Sequence, residues 1–135
     1  MGQIENICLS ILKSAIWGTD LEIHKCFNYW DEVIIFAQKQ SIIGIVSYTL
    51  LNSSTILIPE HIREKLKQII LNNIVTFHKV DSAMIKVYVE LQNKGLKPIL
   101  LKGQGIARYY SNPELRQCGD VDIYIGKEGY IKAYN

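Results

Sequence analysis

Two neighbouring stretches decide how this chain is read. The first is Leu100-Leu101-Lys102-Gly103-Gln104-Gly105-Ile106-Ala107-Arg108-Tyr109-Tyr110; the second is Arg116-Gln117-Cys118-Gly119-Asp120-Val121-Asp122-Ile123-Tyr124-Ile125. One is a glycine turn behind an apolar run, the other a pair of aspartates among Val, Ile and Tyr. Burying a carboxylate costs several kcal/mol unless it is paired or ligates a metal. Two of them in one apolar run therefore ask for a chemical reason, and a divalent metal is the first to test.

Working outward, Lys97 to Leu101 reads as a short strand, with Pro98 placed early, where a missing N–H is tolerated. Ile106 to Tyr110 then predicts a brief helix, Asn112-Pro113 a turn, and Asp120 to Ile125 a second strand. Side chains alternate across a strand, so Asp120, Asp122 and Tyr124 would share one face, with Val121, Ile123 and Ile125 on the other. Their Cα atoms would then be about 6.5 to 7 Å apart. That spacing lets the carboxylates hold one Mg2+ or help hold two, as in-line phosphoryl displacement requires. Glycines at 103 and 105 let backbone approach a phosphate, while Lys102, Arg108 and Arg116 could neutralise its charge. Each feature alone has a plain reading: a solvated strand face, an ordinary turn, surface charges.

Upstream, the pattern is helical. Ile4, Ile7, Cys8, Ile11, Leu12 and Ala15 form one amphipathic stripe ending near Gly18. Trp30, Val33, Ile34 and Ala37 form a second, for which Asn28 is a candidate cap, and Ser41 to Leu50 gives a third helix. Pro59 suits the first position of a long fourth helix running to about Asn93 and closed by Gly95, a length of roughly 50 Å. Along it, Leu66, Ile70, Asn73, Phe77, Val80, Met84, Val87 and Leu91 alternate steps of four and three, a heptad-like seam. Packing onto the three preceding helices is its expected use, with a homodimer through residues 66–91 as the other. The predicted fold is α+β: a helical module over residues 1–94, then the start of an α/β core over 95–135.

Bulk composition narrows the function classes. The chain has 135 residues, 48% of them hydrophobic, enough for a real core, and a formal charge of +2. That charge gives no strong field for nucleic acid or an anionic membrane. Cys8, Cys26 and Cys118 are odd in number and far apart, which suggests neither a disulfide framework nor a zinc site. No secretory signal or membrane span is evident, so a cytoplasmic protein is expected. His24, His61 and His78 are dispersed and receive no functional role. Cys118 stands near the aspartates, but a soft thiolate suits Mg2+ badly.

In their order, Leu100-Leu101-Lys102-Gly103, Tyr109-Tyr110, Arg116 and Gly119-Asp120-Val121-Asp122-Ile123 resemble the uncharacterised nucleotidyltransferase family of the DNA polymerase β-like nucleotidyltransferase superfamily. The motifs cover residues 95–125. The resemblance implies a helical module leading into the first strands of a polymerase β-like domain. It implies that Asp120 and Asp122 ligate Mg2+ (or Mn2+) and that Gly103 and Gln104 form the turn against a nucleoside triphosphate. Lys102 and Arg116 would stabilise phosphate charge, and a hydroxyl of an unknown acceptor would attack the α-phosphate with pyrophosphate leaving in line. Gly103-Gln104 stands where the superfamily usually has Gly-Ser or Gly-Gly. Its third carboxylate comes from a later strand, and after Asp122 the only acidic residue here is Glu128. The chain is therefore expected to be an N-terminal portion or shortened relative of such an enzyme, with two of three metal carboxylates. Two rival readings stand beside it: a metal-dependent glycosyltransferase, whose Asp-x-Asp would hold a nucleotide sugar's diphosphate, and a non-catalytic helical interaction module.

Overall fold

The computed structural model describes residues 2–24, 27–117, 119–127 and 129–134, without the side chains of Tyr130 and Tyr134. The sequence readings on Cys26, Cys118 and Glu128 lie outside the described residues. The elements are α1 (Gln3–Trp17), α2 (Trp30–Lys39), α3 (Ile43–Asn52), α4 (Glu60–Asn93), β1 (Ile99–Leu100), α5 (Gln104–Ala107), a 3-10 turn (Pro113–Leu115), β2 (Ile123–Tyr124) and α6 (Gly129–Tyr134). This is an α+β chain, mostly helical, with helices first. It forms two compact units, residues 1–74 with 115–117, and residues 75–114 with 118–135, so α4 passes from one unit to the other. No described helix is long and apolar enough to cross a membrane.

In the first unit the predicted stripes become the core. Cys8 and Ile11 of α1, and Trp30, Val33, Ile34 and Ala37 of α2, are all buried. Ile43, Val46 and Leu50 of α3 and Ile62 and Leu66 of α4 join the same cluster. Gly18 ends α1 at φ 65°, a left-handed turn that a glycine adopts without cost to a Cβ. Asn28 does not cap α2: the N-cap is Tyr29, with no side-chain cap bond, and its carbonyl accepts the Val33 N–H at 3.2 Å. Gly44 allows α3 to meet residues 115–117, because a Cβ there would overlap the Leu115 carbonyl oxygen.

α4 is continuous, as its seam predicted, and about 50 Å long at its 34 residues. Pro59 sits one position earlier than expected, as the residue whose carbonyl accepts the Arg63 N–H at 2.9 Å, so its own missing N–H costs nothing. At the other end the Gly95 N–H donates to the Gln92 carbonyl and the Leu96 N–H to the Leu91 carbonyl, with Gly95 at φ 74°. This is the doubly bonded Schellman closure. Within α4 only Ile62 and Leu66, both in the first unit, are buried. From Ile70 onward the seam residues are half-buried, and Val87 is exposed.

In the second unit the strands are shorter than predicted. β1 and β2 pair antiparallel, Ile99 opposite Tyr124 and Leu100 opposite Ile123, and one further bond runs from the Leu101 N–H to the Asp122 carbonyl at 3.0 Å. Asp120 and Asp122 thus both precede the strand that was expected to contain them, Asp122 by one residue. The helix predicted for Ile106 to Tyr110 begins earlier, at Gln104, and beyond Ala107 the chain continues in turns.

Candidate functional site

The end of β1 turns sharply at Gly103, and this turn organises the second unit's candidate site. Gly103 has φ 68° and ψ −118°, a combination open in practice to glycine alone. It is buried, and an added Cβ would come within 2.9 Å of the Asp120 carbonyl oxygen. The missing side chain therefore does two things: it permits the turn, and it lets the backbone before Asp122 lie against it. The Gly103 carbonyl then accepts the Ile106 and Ala107 N–H groups, both at 3.2 Å, which opens α5.

Gln104 follows, and the residue is only 7% exposed. Its Nε2 donates to the Phe77 carbonyl of α4 at 3.4 Å. The amide thus fastens the glycine turn to the helix behind it. Gly105 continues the close packing, with a Cβ there meeting the Leu100 side chain and carbonyl at 3.3 Å.

The structure brings Lys102 and Asp122 together. Lys102 Nζ lies 3.1 Å from Asp122 Oδ2, an ion pair across the end of the two-stranded ladder. Oδ2 is closed to water and makes no directional hydrogen bond, so distance alone joins it to the ammonium. The Lys102 side chain is 66% exposed, whereas Asp122 is half-buried and fixed through its backbone by the Leu101 amide. Asp120 is exposed. Among the described residues no group of three or more His, Cys, Asp or Glu side chains could hold a metal.

Two further cations, Arg116 and Arg108, were predicted from the sequence. Arg116 belongs to the first unit and is half-buried there. Arg108 turns onto its neighbour, donating from Nη2 to the Tyr109 hydroxyl at 2.7 Å with its guanidinium 4.8 Å from that ring's centre. His78, without an assigned role, meets Glu114 at 2.9 Å. Two features of the site were missed from sequence. One is the Phe77 carbonyl, which no sequence signal identifies because every residue carries one. The other is the pairing of Lys102 with a carboxylate, which an antiparallel register ending at Leu101 and Asp122 would have suggested.

Fold and site define the class: an α+β protein whose helical unit precedes a strand, a glycine turn, a short helix and an aspartate-bearing segment that leads into the second strand. The family model described as uncharacterised nucleotidyltransferase matches residues 28–135, and the chain belongs to that family. No curated protein and no solved structure matches it.

Proposed function

We propose that this chain carries part of a nucleotidyl-transfer site confined to its second unit, in which Asp120 and Asp122 hold Mg2+ or Mn2+ and the Gly103 turn faces a nucleoside triphosphate. The observation that supports this most is the meeting of three features within that unit: the Lys102–Asp122 pair, the side-chain-free Gly103, and the Asp120 backbone against it. Family membership supports the reaction class.

The donors suit the ion. Carboxylate oxygens are hard ligands, and Mg2+ commonly takes one or two of them together with substrate phosphates and water. Asp122 Oδ2 is already shielded from water and matched only to a cation. When bound, the divalent ion would neutralise triphosphate charge and acidify an acceptor hydroxyl. The chain's own residues do the positioning. The Leu101 N–H fixes the Asp122 backbone, and the side-chain-free Gly103 lets the Asp120 backbone lie against the turn. The Gln104 amide holds the turn against α4. Lys102, exposed and on a flexible stem, supplies a mobile positive charge for phosphate. The acceptor hydroxyl gives up its proton to water as its oxygen attacks the α-phosphate; the new oxygen–phosphorus bond forms as the bond to the bridging oxygen breaks, and pyrophosphate leaves.

We further propose that residues 1–94 serve this core as a helical module. The reaction is tested in the full-length native protein with ATP labelled separately on its α- and γ-phosphates. Transfer of the α label, lost in the Asp120→Ala/Asp122→Ala variant, is expected. Transfer of the γ label, or use of a nucleotide sugar in its place, would overturn the assignment.

A further inference from the structure

Asp122 Oδ2 already has a cation beside it, and that cation belongs to the chain. Lys102 Nζ is 3.1 Å away, and the oxygen is otherwise sealed from solvent. Any ion that ligates this oxygen must displace the ammonium or share the carboxylate with it at a like-charge cost. The two partners differ in freedom: Asp122 is tied into the ladder, whereas the Lys102 side chain is two-thirds exposed and bends from the residue just before the Gly103 turn. Lys102 is the partner that moves. An ammonium leaving a carboxylate gains most from another anion, and in the proposed site the nearest incoming anion is the triphosphate.

We infer that Lys102 is a built-in counter-ion that stands in for the divalent metal at Asp122, so that nucleotide, by drawing the ammonium onto phosphate, opens Asp122 to the metal. This rests on the reading that Asp120 and Asp122 are the metal ligands. Lys102 is in this role a positioning residue: it makes metal and nucleotide bind with positive coupling, and by linkage each strengthens the other by the same factor. Without the ammonium, the carboxylate takes metal more readily and the help from nucleotide shrinks.

The test measures Mn2+ affinity of the full-length native protein by electron paramagnetic resonance, alone and with ATP, in the parent, Lys102→Gln, Lys102→Arg and Asp120→Ala/Asp122→Ala forms. Removing an exposed ion-pair partner should tighten binding of Mn2+ alone by roughly two- to fivefold, and Lys102→Gln should reduce the enhancement by ATP. Lys102→Arg, which keeps the charge, should stay near the parent in both. If Mn2+ alone binds Lys102→Gln no more tightly than the parent while the double aspartate variant has lost it, the counter-ion inference fails and the site assignment stands. If the double aspartate variant binds Mn2+ like the parent, the site assignment fails, and the inference with it.

Discussion

Replacing Gly103 with alanine should injure the candidate site out of proportion to the size of a methyl group. The backbone there has φ 68° and ψ −118°, and non-glycine residues in such regions cost on the order of 1 to 3 kcal/mol. The new Cβ would also press on the Asp120 carbonyl at 2.9 Å, a backbone atom that yields only if the segment leading to Asp122 shifts, an overpacking cost of about 1 to 3 kcal/mol. The two together give roughly 2 to 4 kcal/mol, allowing for partial relaxation. Gly95→Ala is the control, since Gly95 has φ 74° and open space where the Cβ would go, leaving left-handed strain of about 1 to 2 kcal/mol. Urea unfolding measures both losses, and hydrogen exchange at the Leu101 amide, bonded to the Asp122 carbonyl, reports the site itself. In Gly103→Ala that amide should exchange about thirtyfold faster or more, at tenfold per 1.4 kcal/mol. A Gly103→Ala variant no less stable than Gly95→Ala, with Leu101 exchange unchanged, would refute the claim that Gly103 exists to admit the Asp120 backbone.

Three further outcomes follow from the packing and the charges. Leu66→Ala should lower stability by about 2 to 5 kcal/mol because Leu66 is fully buried, whereas Leu71→Ala, at a position 56% exposed, should change it by less than about 0.5 kcal/mol, both read from urea midpoints. The Asp31 carboxyl is held below the ordinary carboxylate range by the Lys65 ammonium, which donates to it at 2.6 Å and attracts its charge. Because the folded-state value lies below the unfolded one, this pair contributes stability above the ordinary range and loses it as pH falls through the folded value. A carboxyl titration by NMR should return Asp31 to its usual range in Lys65→Met, and high salt should move the parent the same way; a titration identical in both proteins would contradict the pairing. Burial pushes the Cys8 thiol up, so it stays neutral at pH 8, and peptide mapping after brief iodoacetamide treatment should find Cys8 unmodified until urea unfolds the chain.

Periodicity carried the helical half of the fold well. The residues that bury α2, namely Trp30, Val33, Ile34 and Ala37, are those its spacing selected, and the closing role of Gly95 was legible from glycine's freedom alone. Where a contact depends on partners distant in sequence, the reading weakened. Asn28 has the right chemistry to cap α2, yet the chain enters that helix one residue later. Asp120 sits in an apolar run that looks like a strand, but pairing ends at Asp122 because the Gly103 turn takes the partner strand away. Gln104 was expected to form, with Gly103, the turn against phosphate; that its side chain also reaches a backbone carbonyl on α4 is an attachment that only tertiary structure reveals. The Lys102–Asp122 contact is of the same kind: both residues were singled out, but their proximity is a matter of register.

Calorimetric titration of ATP into the full-length native protein, with and without Mn2+, bears most directly on the account. It predicts binding that requires the metal and disappears in Asp120→Ala/Asp122→Ala. ATP binding that is indifferent to Mn2+, or undiminished when both aspartates are gone, would contradict it.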